Sequence, residues 1–177
     1  AEFICTHTRF GSCRARGVLI STPKRVVVSD NLFESSGAAI LVAGDSNYWF
    51  ESGECHDVTI TRNVFTNACM SSFYEFCNGM ISVCPVVPKP ELDKPYHKNI
   101  KITENVFDVR QQAVLYAFST DGLEFAKNKI FATKPQGERG RIDLSFCKNV
   151  TLEGNLFTCP DRPKITAENC GEIKSDI

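Results

Sequence analysis

The chain has 177 residues, enough for one domain with a substantial core, and its 20 lysines and arginines nearly balance 21 aspartates and glutamates, for a net charge of −1. With both signs interspersed there is no basic stripe, which argues against a nucleic-acid partner. No apolar run approaches the roughly 20 residues of a membrane-spanning helix.

Taken in chain order, one short pattern returns: apolar, x, apolar, x, x, Asn, x, apolar. Phe3 to Phe10 fits it with Thr8 at the Asn position, and Val26 to Phe33 carries Asn31. Val58 to Phe65 carries Asn63, Ile100 to Phe107 carries Asn105, Leu123 to Ile130 carries Asn128, and Val150 to Phe157 carries Asn155. The spacing is 23 residues twice and otherwise 27, 32 and 42. A basic unit with variable excess is the signature of a solenoid whose coils are interrupted by loops. Apolar residues at i and i+2 share one face of a strand, which favours strand coils over helical ones. After each Asn comes a small residue and a second apolar run: Gly17 to Ile20, Gly37 to Val42, Gly79 to Val83, Ala113 to Phe118 and Arg141 to Phe146. Two or three short strands per coil predict an all-β fold, a parallel β-helix of about six to seven coils. The repeated Asn is expected at one turn of every coil, its amide bonding to the Asn above and below. Asn also tolerates a left-handed backbone there. The Phe or Ile after it is expected to stack inward.

The coils occupy residues 1–159, with a long insertion at 66–98, and 160–177 reads as a degenerate last coil or tail. Ile165 to Cys170 looks like a poor copy of the pattern slipped by one position. Neither end carries a clear polar cap, so a segment of a longer β-helix is expected. Ala1 to Ile4 lacks the features of a signal peptide, and the absence of an initiator Met reads as a processed or excised N-terminus. Nine cysteines contain no CxxC pair, so zinc-site spacing is not met. Most read as small buried residues, and a disulfide from Cys69 or Cys77 to Cys84 stays open.

The excess in the second coil is concentrated in Gly44-Asp45-Ser46-Asn47-Tyr48-Trp49-Phe50-Glu51-Ser52-Gly53, which holds the single Trp. In the third coil it comprises a stretch near Met70–Phe76, fit for a short helical turn, and a proline-rich run from Pro85 to Pro95. That run must lie outside the sheets, as the rim of a groove or as a spacer between coils. Insertions of a solenoid tend to carry its function. Asp45 and Glu51 flank aromatic rings, the pairing a glycoside hydrolase uses for acid and base. Tyr48 and Trp49 offer an apolar platform to a sugar ring, with Asn47 and Arg16 to bond hydroxyls. A second reading makes Asp45 a turn residue, packs Trp49 on the stack and pairs Glu51 with Arg14 or Arg16. His7, His56 and His97 have no metal spacing, and no motif asks for a metal or a cofactor.

Four runs in order (Arg14 to Pro23, Gly37 to Asp45, Trp49 to Gly53, and Asp57 to Ile60) resemble glycoside hydrolase family 110, the bacterial exo-acting α-1,3-galactosidases. The resemblance is closest over residues 9–65. It implies a right-handed β-helix, an inverting mechanism with carboxylate acid and base, no required cofactor, and terminal α-galactose on a glycan as the substrate. It also implies a secreted, periplasmic or cell-surface location in a bacterium. An Asp-rich catalytic segment of that family lies on coils before the matched region, and this chain has no Asp-Asp pair. A non-catalytic carbohydrate-binding or structural β-helix is the alternative.

Overall fold

The computed structural model describes residues 2–45, 47–50, 53–66, 78–109, 113–132, 140–158 and 163–177. Glu51, the stretch near Met70–Phe76, and Cys69 and Cys77 lie outside the described residues. Among the described residues there are nineteen strands and no helix.

The strands form three parallel sheets. The first contains Phe3–Thr6, Val26–Ser29, His56–Thr61, His97–Thr103, Thr120–Ala126, Lys148–Leu152 and Ile173–Ser175, in that spatial order. Arg9–Gly11, Leu32–Glu34, Val64–Phe65, Val106–Val109, Lys129–Ala132 and Leu156–Thr158 build the second. The third is built from Arg16–Ile20, Ala38–Val42, Gly79–Val83, Ala113–Phe118, Ile142–Ser145 and Ile165–Glu168. Each coil contributes one strand to each sheet, so the chain is a parallel β-helix of six coils with the first strand of a seventh. The tail is part of the stack: Ile165–Glu168 pairs with Ile142–Ser145 as a third-sheet strand, not as a slipped copy of the first. Its apolar positions mimic the repeat because every strand of a coil has the same two-residue alternation.

That alternation builds the core. Val26, Val58, Ile100, Leu123 and Val150 lie in register, as do Val28, Ile60 and Ile102, and all are buried. A second inward row runs Phe10, Phe33, Phe65, Phe107, Ile130 and Phe157. Its first four rings stack at centroid separations of 4.7, 5.0 and 4.6 Å. The glycine before the third-sheet strand of the second coil has a steric cause: a Cβ on Gly37 would fall 1.5 Å from the Ala15 carbonyl oxygen of the coil below.

The Asn column is continuous. Asn63 Oδ1 accepts from the backbone N–H and the side-chain amide of Asn31, at 3.0 and 2.9 Å. Asn105 does the same for Asn63, Asn128 for Asn105, and Asn155 for Asn128. The ladder starts where Thr8 N–H donates to Asn31 Oδ1 at 2.9 Å. Each Asn also donates to a main-chain carbonyl of a preceding strand, as Asn105 does to Ile60 at 2.9 Å. The left-handed backbone, however, falls one residue earlier than expected: His7, Asp30, Arg62, Glu104, Lys127 and Gly154 all have φ between 54° and 64°. The chain reverses at that residue so that the Asn can point into the stack. Five of these six bear a Cβ, and the ladder on one side and the strand pairing on the other hold them there. Their side chains face outward and alternate in sign from Asp30 to Lys127. Arg62 grips Asp30 through two hydrogen bonds of 2.8 Å.

Candidate functional site

The aromatic loop leaves the corner between the third and first sheets in the second coil, and the proline-rich run leaves the same corner one coil on. They meet: Val86 N–H donates to the Gly44 carbonyl at 2.8 Å, and Val86 pairs with Asp45 as an isolated parallel bridge. The Tyr96 ring covers Gly44 so closely that a Cβ there would lie 2.7 Å from it. The proline-rich run is therefore a wall beside the loop.

Asp45 sits at the root of the loop and is only 3 % exposed. Its carboxylate accepts three backbone N–H groups, from Asn47 at 2.8 Å, Tyr48 at 2.7 Å and Trp49 at 3.1 Å. Burial pushes its carboxyl upward, but the three donors together outweigh burial and hold it below the usual carboxylate range. An ionised group so engaged has no proton to give; it folds the loop back and orients the aromatic residues beyond it. Those rings are open to solvent: Tyr48 is 71 %, Trp49 74 % and Phe50 78 % exposed. Tyr48 and Trp49 meet edge to face at 5.3 Å, which fixes two adjoining apolar surfaces at an angle.

The return of the loop is anchored by groups that the sequence pattern does not single out. Cys55 is buried, its thiol against the carbonyls of Ala43 and Ile20 at 3.5 and 3.6 Å. Cys55 N–H donates to Nδ1 of the buried His97 at 3.0 Å. Nε2 of His97 therefore carries the proton of the neutral ring, and it has no hydrogen-bond partner. Glu54 reaches His56 at 2.8 Å and Lys98 at 3.7 Å. Its hydrogen bond to His56 keeps its carboxyl below the ordinary value.

Asn47, Tyr48, Trp49 and Asp45 thus come together, while Glu51 lies outside the described residues. Arg16 is placed elsewhere. It pairs with Ala38, at the opposite end of the strand from Val42, where the loop leaves. Four residues of strand separate them by about 13 Å.

A second polar recess, of about 330 Å³, opens on the third sheet. Tyr116, Asp143 and Thr166 share one register position in it, and Ser145 and Glu168 the next. Arg141 at its edge bonds Asp143 at 2.6 Å. The alternation of polar with buried residues in Ile142–Ser145 was the available signal for it. Among the described residues no group of three or more His, Cys, Asp or Glu is placed to hold a metal, and no helix is long and apolar enough to cross a membrane.

No family model matches the chain. It is 47 % identical over 150 residues to an α-1,3-galactosidase B of Bacteroides thetaiotaomicron, covering 82 % of this chain and 24 % of that protein. An α-1,3-galactosidase B of Akkermansia muciniphila is 42 % identical over 151 residues, 83 % of this chain and 19 % of its own length. An α-1,3-galactosidase A of Bacteroides fragilis is 34 % identical over 158 residues, 86 % of this chain and 25 % of its own. The chain spans about a fifth to a quarter of the length of these curated relatives. The identity extends well past the aromatic loop into the later coils, and over the residues it spans the chain belongs to the family of the α-1,3-galactosidases.

Proposed function

We propose that this chain forms part of an exo-acting, inverting α-1,3-galactosidase and supplies the platform that receives a terminal α-galactose. The observation that carries this reading is the pair of exposed rings, Tyr48 and Trp49, held in place by a buried carboxylate. The names of the relatives support the same substrate class. Asp45 then serves as a positioning residue, and Glu51 is the acid or base of the loop. Inversion needs a second carboxylate about 6.5–9.5 Å from it, drawn from the part of the relatives' length that this chain does not span. The reading includes a secreted, periplasmic or cell-surface site of action, the location that the family resemblance implies.

Trp49 is the single tryptophan beside four tyrosines, so fluorescence excited selectively at tryptophan reports this loop alone. Titration with methyl α-galactoside is expected to change the emission, and Tyr48→Ala should weaken affinity by about 10-fold. In the longer protein, Glu51→Gln is expected to lower kcat by about 10²–10⁴-fold. Asp45→Ala should raise KM more than it lowers kcat, because it frees three N–H groups and the loop they shape. Unchanged turnover in both variants would remove the loop from the mechanism.

A non-catalytic carbohydrate-binding β-helix is the second reading, favoured by the full engagement of the Asp45 carboxylate. Calorimetry on the chain, with product analysis of the same samples, separates the two. Binding with no hydrolysis, persisting in the longer protein, supports the second.

A further inference from the structure

At the corner before the first sheet, two cysteines occupy equivalent places in successive coils. Ser145 pairs with Glu168 and Val150 with Ile173, so Cys147 and Cys170 between them share one register. The offset is kept through the corner, where Phe146 N–H donates to the Glu168 carbonyl at 3.0 Å and Gly171 N–H to the Cys147 carbonyl at 2.8 Å. Adjacent parallel coils lie about 4.8 Å apart, inside the Cα separation of roughly 4.4–6.8 Å that a disulfide spans. Each thiol also rests on the carbonyl two residues before it: Cys147 on Ser145 and Cys170 on Glu168, both at 3.4 Å. The two side chains therefore leave the backbone in the same direction. Cys147 is fully buried and Cys170 partly exposed.

We propose that Cys147 and Cys170 form a dithiol–disulfide exchange site, with Cys170 as the attacking thiol and Cys147 as the resolving one, reacting with small disulfides such as oxidised glutathione. The division of roles comes from access: a reagent reaches the sulfur of Cys170 and not that of Cys147. The hydrogen bond between the two thiols acts in the same sense. It draws Cys170 below the ordinary thiol value and, together with burial, pushes Cys147 up. The Cys170 thiolate attacks one sulfur of oxidised glutathione, breaking its S–S bond and releasing one glutathione thiolate. A mixed disulfide remains on Cys170. Cys147 then passes its proton to the departing glutathione sulfur as it attacks the Cys170 sulfur, closing the protein disulfide. Two protein thiols are oxidised and one glutathione disulfide is reduced to two thiols. The product ties the strand Ile173–Ser175 covalently to the coil beneath it.

The test is incubation of the chain with oxidised glutathione, and then peptide mapping under non-reducing conditions. The expected result is a linked pair of peptides containing Cys147 and Cys170, and a thermal midpoint raised by about 5–10 °C. With Cys147→Ser, a mixed disulfide should accumulate on Cys170. With Cys170→Ser, Cys147 should stay unmodified. Three outcomes would each overturn the proposal: no reaction at either thiol, a mixed disulfide on Cys170 of the unaltered chain that never resolves, or modification of Cys147 when Cys170 is Ser. Circular dichroism of both variants shows whether the coils are retained.

Discussion

Asn105→Ala is expected to destabilise the chain by about 4 kcal/mol, with the urea midpoint falling and the slope unchanged. The residue is fully buried, and four groups depend on it. Its Oδ1 accepts the backbone N–H of Asn63 at 2.9 Å and the side-chain amide of Asn63 at 3.1 Å. Its Nδ2 donates to Asn128 Oδ1 at 3.1 Å and to the Ile60 carbonyl at 2.9 Å. Without the side chain the Asn63 amide keeps the Val28 and Thr61 carbonyls, and Asn128 Oδ1 keeps the residue-105 N–H, so the loss falls mainly on the Asn63 N–H and the Ile60 carbonyl; each buried group left unpaired costs about 1–3 kcal/mol. Asn155→Ala is the internal control, since Asn155 is only partly buried and ends the ladder: it accepts from Asn128, and its amide donates to the Phe125 carbonyl at 2.8 Å. A loss of about 1–2 kcal/mol is expected there. Equal losses at the two positions would mean that the ladder does not hold the coils together.

The second large effect is a loss of stability in mild acid that belongs to His97. Burial holds this imidazole at about 4, against an ordinary value of 6.5. Glu54 opposes the shift and His56 adds to it. Between pH 6.5 and 4 the unfolded chain therefore binds a proton that the folded chain refuses, so stability is complete above the upper value and falls toward the lower. The difference corresponds to about 3 kcal/mol. Structurally, protonation would turn Nδ1 from an acceptor into a donor facing the Cys55 N–H and break the anchor of the aromatic loop. Chemical denaturation at intervals from pH 7.5 to 4 should show the decline, and His97→Phe should flatten it at a lower overall stability. Asp45 contributes in a separate window: its depressed carboxyl is stabilising above the ordinary carboxylate value and loses that contribution only as pH falls through its own lower one. A decline confined to pH below 4 would assign the acid sensitivity to Asp45 and not to His97.

The stack was legible in the sequence because its determinants are local and repeated. Asn31, Asn63, Asn105, Asn128 and Asn155 stand at a constant place relative to the apolar pair before them and the Phe or Ile after them. A column can be read from that alone. The position of the left-handed residue was not legible, because the chain reverses at residues as different as Asp30, Arg62 and Lys127. There the neighbouring coils, and not the side chain, dictate the conformation. Asp45 could be read two ways because its partners, the N–H groups of Asn47, Tyr48 and Trp49, belong to the backbone and leave no trace in residue identity. Arg16 looked close to the loop because it is one coil below it, yet its register with Ala38 sets it at the far end of the strand. The third-sheet recess joins residues as distant as Asn78 and Glu168, and only the pairing of coils brings them together.

The outward residues at the reversing corners also bear on how the coils assemble. Asp30, Arg62, Glu104 and Lys127 succeed one another as acid, base, acid, base. A turn that bypassed its neighbour during folding would set Asp30 over Glu104, or Arg62 over Lys127, and meet repulsion in place of attraction. The inward rows of the first and second sheets, built from Val, Ile, Leu and Phe, would accept such a misassembly with little complaint. The surface of the corner therefore acts as a proofreader, enforcing the sequence in which the turns are laid down.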